Sequence, residues 1–424
     1  MKVIVISTCY PRRSQPNHGI FIHQQIRGLA ALGVNCYVLQ PIDWSPPPPL
    51  HRLHSGWQHG RAEQLDMLDE VDGIPLYHPR IYRPLPSRFF PGDYWERTGR
   101  GLARYLSQQQ SLRSADLLYA HFLCHEGYAG LMVKRLLGMP LVAIARGDDV
   151  HGWPLRWPDR QPKLAAVLKE ADGLLACSQG IAQDAAKWAT EGLSAKIEVV
   201  YNGVEGDRFF PAESASQKTE ARVRFNLPMT QKLLLCVATT IAEKGWLDLF
   251  DAFAALPEPF ANWHLVMIGT RRGNGDLNLE TETQKRGIGP RAHWLGILPP
   301  EQMPDLYRAA DAFALASHNE GLANSMMEAM ATGLPVIVTD VGGHSEMVSN
   351  GVQGRLVARQ DVEGLREALT EVLSNETYAR RMGEAARARA LAVGDHHHNA
   401  KRLLAYFERV LTGQPRGAVT EAIL

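Results

Sequence analysis

Two series of short apolar runs, separated by stretches with helical spacing, constrain what this chain can fold into. Residues 3–7, 34–39, 117–120, 141–145, 173–177 and 197–200 form the first series, and residues 232–238, 264–269, 293–296, 312–316 and 336–339 the second. Runs this short, apolar rather than alternating, suit strands buried on both faces, and helices between them make the sheets parallel. Two such sets predict an α/β chain of two Rossmann-like domains with a cleft between them. The 424 residues supply ample core for both. The turn-rich stretch VVYNGVEGDRFFPAE falls between the series and predicts an interdomain linker over 202–216. The expected domains are therefore 1–201 and 217–394, with 395–424 as a C-terminal helix and tail. In that helix Leu403, Leu404, Phe407, Val410 and Leu411 recur at helical spacing. Residues 41–100 interrupt the first domain. Ten of the 26 prolines lie between 41 and 91, which predicts an irregular insertion.

Composition narrows the function by exclusion. Lys+Arg and Asp+Glu both number 45, so no net charge draws the chain to nucleic acid. The five cysteines are scattered, no Cys-x-x-Cys pair suggests zinc, and buried free thiols are expected. The opening MKVIVISTCYPRR holds too short an apolar run for a secretory signal, and no stretch reaches the ~18 apolar residues of a membrane span. A cytoplasmic protein is expected.

The stretch EGLANSMMEAMATGLPVIVTDVGG, residues 320–343, carries the chemistry. It sets Glu320 in a glycine-bearing loop and Glu328 in the following helix, which ends at Gly333 and feeds the strand run 335–339. A loop and helix N-terminus at the C-terminal edge of a strand attract anions. Two carboxylates beside such a site suit hydroxyls, as in ribose or a sugar ring. The spacing Ser325-x-x-Glu328 also fits a capping box, in which Glu328 would only close its own helix.

Glu320 and Glu328, with seven residues between them, resemble the Glu-x7-Glu motif of retaining glycosyltransferases of the GT-B fold, family four. Gly321, Ala329-Met330-Ala331, Gly333-x-Pro335 and Gly342-Gly343 extend the match, and Asn202-Gly203-Val204 with Phe209 and Pro211 is similar to the family's hinge. The resemblance implies transfer of a sugar from a nucleotide-sugar donor bound by the second domain to a glycan or lipid-linked acceptor bound by the first, in cell-wall, capsule or other surface-polysaccharide synthesis. It further implies that the final helix crosses back to the first domain and that no cofactor or metal is needed. A nucleotide-sugar epimerase of the same fold and a non-catalytic nucleotide-sugar-binding subunit are the competing readings.

Residue by residue, the resemblance implies catalytic roles for Glu320, Lys244 and Arg146. Glu320 would contact the transferred sugar and Lys244 the donor diphosphate. Arg146 stands where the family commonly has histidine, in Arg146-Gly147-Asp148-Asp149, and could bind a carboxylate or phosphate bidentately or pair with the adjacent aspartates. Glu328 would hold the ribose. Gly321, Leu322, Asn324 and Ser325 would complete the donor loop, with Gly269 beside a neighbouring strand and Gly19 opening the first helix. Thr239 occupies the place of the family's usual arginine in Ala238-Thr239-Thr240, so half of the expected phosphate clamp is missing. Glu346 is a weaker candidate. Asp148-Asp149 is discounted as a metal pair, and His396, His397 and His398 point in different directions on a helix.

Segment 80–113 is the candidate for peripheral contact with the inner face of a membrane. It carries seven arginines against Asp93 and Glu96, interleaved with Tyr82, Phe89, Phe90, Tyr94, Trp95 and Tyr105. Arginines with aromatics suit anionic headgroups. Inward-packed aromatics under a solvated arginine face fit the same pattern.

Overall fold

The computed structural model describes residues 1–12, 15–44, 67–82, 93–189, 197–269 and 277–413. The chain forms two compact units, Met1–Val200 with His397–Leu424, and Tyr201–His396.

The first unit contains β1 (Lys2–Ile6), β2 (Asn35–Leu39), β3 (Ile42–Asp43), β4 (Leu68–Val71), β5 (Ile74–Tyr77), β6 (Arg80–Ile81), β7 (Leu117–His121), β8 (Leu141–Ala145), β9 (Gly173–Ala176) and β10 (Ile197–Val199). Eight of these form one sheet in the order β10-β9-β8-β7-β1-β2-β5-β4, while β3 and β6 pair by themselves. Pairing in the large sheet is parallel except between β4 and β5. Strands β7 and β8 are buried at every residue, as coverage on both faces requires.

The described parts of 41–100 are more regular than the prolines suggest. The antiparallel β4–β5 pair extends the sheet edge, with Pro75 opposite Glu70. β5 lies between β2 and β4, but its pairing with β2 begins at Leu76, so Pro75 sits at the strand's start, outside that inner ladder, where its missing N–H is tolerated. Prolines 46–49, 84, 86 and 91 lie outside the described residues.

The last helix, His396–Thr412, completes the first unit's core. Leu403, Tyr406 and Phe407 pack among Val3, Tyr119, Val142 and Leu175. The Tyr406 hydroxyl accepts from the Leu174 N–H at 2.7 Å and donates to the Leu174 carbonyl at 3.1 Å.

The second unit contains β11 (Lys232–Val237), β12 (Trp263–Ile268), β13 (Ala292–Trp294), β14 (Ala312–Leu315), β15 (Val336–Thr339) and β16 (Gly354–Val357). They form one all-parallel sheet in the order β13-β12-β11-β14-β15-β16. Strand β16 was not legible as an apolar run, because glycine and arginine fill half of it. A Cβ on Gly354 would fall 2.1 Å from the Val336 carbonyl oxygen, so the closeness of β15 itself demands glycine there.

Strand order reverses between β1 and β7 in the first unit, and between β11 and β14 in the second. Open α/β sheets bind ligands outside the carboxyl ends of strands at such switch points. In the second unit, the loops leaving β11 and β14 carry Thr239, Lys244 and Glu320.

Candidate active site

Lys244 ends a 3-10 turn, Ala242–Lys244, and Gly245 follows with φ of 65°. A Cβ on Gly245 would fall 1.8 Å from the Ala316 carbonyl oxygen. Glycine therefore lets this turn lie directly on the loop after β14, and the N–H of His318 donates to the Glu243 carbonyl at 2.8 Å across the same junction. The contact brings Lys244 Nζ to 2.7 Å from Glu320 Oε1, which also accepts from Ser317 Oγ at 2.8 Å. Burial opposes charge on Glu320. The charge of Lys244 nearby, with the hydrogen bonds from Lys244 and Ser317, outweighs it and holds the carboxyl below its ordinary value.

Glu328 sits one turn into the helix Asn324–Ala331. The N-cap is Ala323 and no side chain caps the helix, so the capping-box reading of Ser325 and Glu328 is not realised. Glu328 Oε2 instead accepts from the buried Tyr307 hydroxyl at 2.8 Å, and the same hydroxyl lies 3.2 Å from the Ser325 carbonyl. Burial raises the Glu328 carboxyl from 4.5 to about 7, against the Tyr307 hydrogen bond and the charge of Arg208, which favour ionisation. The two glutamates thus differ in charge near neutrality. The charge of Lys244 holds Glu320 toward its ionised form, and burial holds Glu328 toward its protonated form.

The uncapped helix leaves its first N–H groups for a ligand. Around it, Leu322 is buried with its carbonyl accepting from Asn202 Nδ2 at 3.1 Å. Gly321 accepts from the Gly343 N–H at 2.8 Å. Asn324 Oδ1 and Thr239 Oγ1 are buried without a hydrogen bond among the described residues. Thr239 also gives its carbonyl to Trp246 Nε1 at 2.8 Å, which fixes the strand-to-turn path. Gly269 packs on the Ala238 carbonyl, where a Cβ would fall within 1.9 Å. Sequence reasoning missed Ser317 and Tyr307. Only Ser317, three residues before Glu320, had a local signal. Tyr307 and Glu328 are brought together by packing.

Gly19 and Arg146 belong to the first unit. Gly19 caps the helix Ile20–Ala31 with φ of 70°, and its Cβ position is filled by the Cys9 carbonyl. Arg146 follows β8, largely buried. Its Nη2 lies 3.0 Å from both Gln25 Oε1 and His121 Nδ1, and its guanidinium lies over the Phe21 ring. Asp149 accepts from the backbone N–H groups of Leu123, Arg146 and Gly147 at 2.7–2.9 Å, so its carboxylate builds the loop. Glu126, unremarked in the sequence, accepts from Thr8 N at 3.0 Å and from the Thr8 hydroxyl, and burial raises its carboxyl to about 7. Glu346 lies in the short helix His344–Met347. Among the described residues no group of three or more His, Cys, Asp or Glu could hold a metal ion, and no helix is long and apolar enough to cross a membrane.

In segment 80–113, Trp95 is buried in the helix Tyr94–Gln108 and packs on Trp153 and His125, so it is not an interfacial aromatic. Arg100 and Arg104 are exposed on that helix. Arg83, Arg88, Phe89 and Phe90 lie outside the described residues.

The family model of group 1 glycosyl transferases matches residues 217–389, and that of glycosyltransferase family 4 matches residues 18–208. A D-inositol 3-phosphate glycosyltransferase from Xylanimonas cellulosilytica is 30% identical over 290 residues, 66% of this chain and 68% of the relative. The chain belongs to the group 1, family 4 glycosyltransferases. This glycosyltransferase is also 28% identical over 416 residues, 97% of its length, to a Bacillus subtilis protein named for teichuronic acid biosynthesis, the glycosyltransferase TuaC, of which the match covers 99%. Among solved structures, Anabaena HepE in complex with UDP-glucose superposes with a TM-score of 0.72 at 17% identity, over 96% of this chain and 99% of that one. The glycosyltransferase therefore has the GT-B fold of two parallel-sheet, Rossmann-like units.

Proposed function

We propose that this enzyme transfers a sugar from a nucleotide-sugar donor, with retention at the anomeric carbon, to a glycan or lipid-linked acceptor in cell-wall or other surface-polysaccharide synthesis. The observation that carries the reading is the Lys244–Glu320 pair at the switch point of the second unit, beside an uncapped helix N-terminus. A departing nucleoside diphosphate gains negative charge. Lys244 gives one of its three N–H donors to Glu320 and has two left for phosphate oxygens. The ionised Glu320 accepts from hydroxyls of the transferred sugar, and Glu328 accepts from those of the ribose. Thr239 Oγ1 and the first N–H groups of Asn324–Ala331 supplement the single cation, so the donor needs no divalent metal. The UDP-glucose held by HepE and the teichuronic acid role in TuaC's name support the donor class and the pathway class. The acceptor falls to the first unit, where Arg146 suits an anionic group, and the exposed arginines of Tyr94–Gln108 suit an anionic lipid surface.

Titration calorimetry with UDP-, GDP- and ADP-sugars and their diphosphates, in chelator, tests this. One donor series should bind, Glu328→Ala should weaken both sugar and diphosphate forms, and Glu320→Gln should reduce turnover more than affinity. Binding that is absent until a divalent metal is added would contradict it.

A further inference from the structure

One residue anchors the Lys244 turn on both sides. His318 stands two positions before Glu320, in the loop that leaves β14. Its backbone N–H donates to the Glu243 carbonyl at 2.8 Å, just before Lys244 in the chain. Its imidazole Nε2 lies 2.7 Å from Asp248 Oδ2, just after Lys244, in the first turn of the helix Trp246–Ala254. A carboxylate oxygen accepts, so Nε2 carries the hydrogen and donates it. The two anchors straddle Lys244 and Gly245. Between them Gly245 rests on the Ala316 carbonyl with no room for a Cβ. The side chains of His318 and Asp248 are only 23% and 21% exposed, so water competes weakly for their hydrogen bond.

The other end of this clamp is also fixed. Ser317, next to His318, gives its hydroxyl to Glu320 at 2.8 Å and takes the Thr339 hydroxyl on its carbonyl at 2.6 Å. The loop is thus tied to the end of β15. Lysine by contrast is a point charge on a flexible four-carbon stem, and its contact with Glu320 alone cannot place its backbone. We infer that His318, through Asp248, is a positioning residue for Lys244, holding the turn Ala242–Lys244 so that Nζ stays where the leaving diphosphate gains charge. The inference rests on the role proposed above for Lys244. It requires no contact between His318 and the donor.

Calorimetry on the full chain with UDP, GDP and ADP reads the placement of Lys244, since its free N–H groups serve phosphate oxygens. His318→Ala removes the side-chain anchor. It should weaken the diphosphate that wild type binds by about tenfold, a coupling of the size that residues in contact show. In a chain already carrying Lys244→Met, the same substitution should change that affinity by less than about twofold, because the group it positions is gone. Asp248→Ala cuts the same bond from the other side and should reproduce the loss, with no further loss in the double variant. His318→Gln, whose amide nitrogen can reach the Nε2 position, should restore most of the affinity. Equal weakening by His318→Ala with and without Lys244, or a lowered melting temperature with affinity unchanged, would assign His318 to the framework and overturn the inference. An unaffected His318→Ala variant, where Lys244→Met does weaken binding, would overturn it alone. Failure of wild type to bind any of the three diphosphates, or wild-type binding by Lys244→Met, would overturn it together with the proposed role of Lys244.

Discussion

Glu328 illustrates how packing, rather than spacing, sets the property of a residue. Its carboxyl is raised from 4.5 to about 7 by burial. Between those values the folded chain binds more protons there than the unfolded chain, so this group's contribution to stability is full below about 4.5 and declines as pH rises through about 7. Glu328→Gln abolishes the titration. Melting curves from pH 4.5 to 8 should show the variant gaining on wild type as pH rises, and a constant difference would show that the carboxyl ionises normally. Glu126 titrates in the same direction and is unchanged in both proteins, so the difference isolates Glu328. The sequence marked Glu320 and Glu328 by their neighbours but not their unlike charge. That difference comes from Lys244, 76 positions away from Glu320, and from the burial of Glu328, which outweighs its hydrogen bond from Tyr307.

At the scale of elements, most of both sheets was legible because parallel strands covered on both faces must be apolar throughout. β16 and the β4–β5 pair were not, since β16 and β4 are edge strands, β5 lies next to one, and burial in all three is partial, so glycine, proline and charge are tolerated. The turn at Gly245 is the element on which the site depends. It holds a left-handed backbone with no room for a methyl group. Gly245→Ala should cost more than about 2 kcal/mol of the second unit's stability, from backbone strain and the clash with Ala316. It should also lower turnover by moving Lys244 away from Glu320. Denaturant unfolding and steady-state rates check both, and wild-type values for the two would show that the turn can shift freely.

For the whole molecule, the chain leaves the first unit after Val200 and returns to it at His397. The last helix is thus part of the first core, although it follows the second unit in sequence. Removing residues 397–424 strips Leu403, Tyr406 and Phe407 from that core and leaves the Leu174 backbone groups without the Tyr406 hydroxyl. Limited proteolysis of the truncated chain should digest Met1–Val200 while Tyr201–His396 remains protected. Equal resistance of both units would contradict this division of the core. The apolar periodicity of the last helix announced that it must be buried, but not against which sheet.

The central claim is transfer from a nucleotide-sugar donor with retention, with Lys244 stabilising the departing diphosphate. Proton NMR of an α-linked nucleotide sugar turning over with the enzyme tests it most directly. Released diphosphate with an early product signal of α configuration, and a rate reduced by orders of magnitude in Lys244→Ala, is the predicted result, since one such positive group is worth about 3–4 kcal/mol. A β-configured first product, a new nucleotide-sugar isomer without diphosphate release, or an unaltered rate in Lys244→Ala would contradict it.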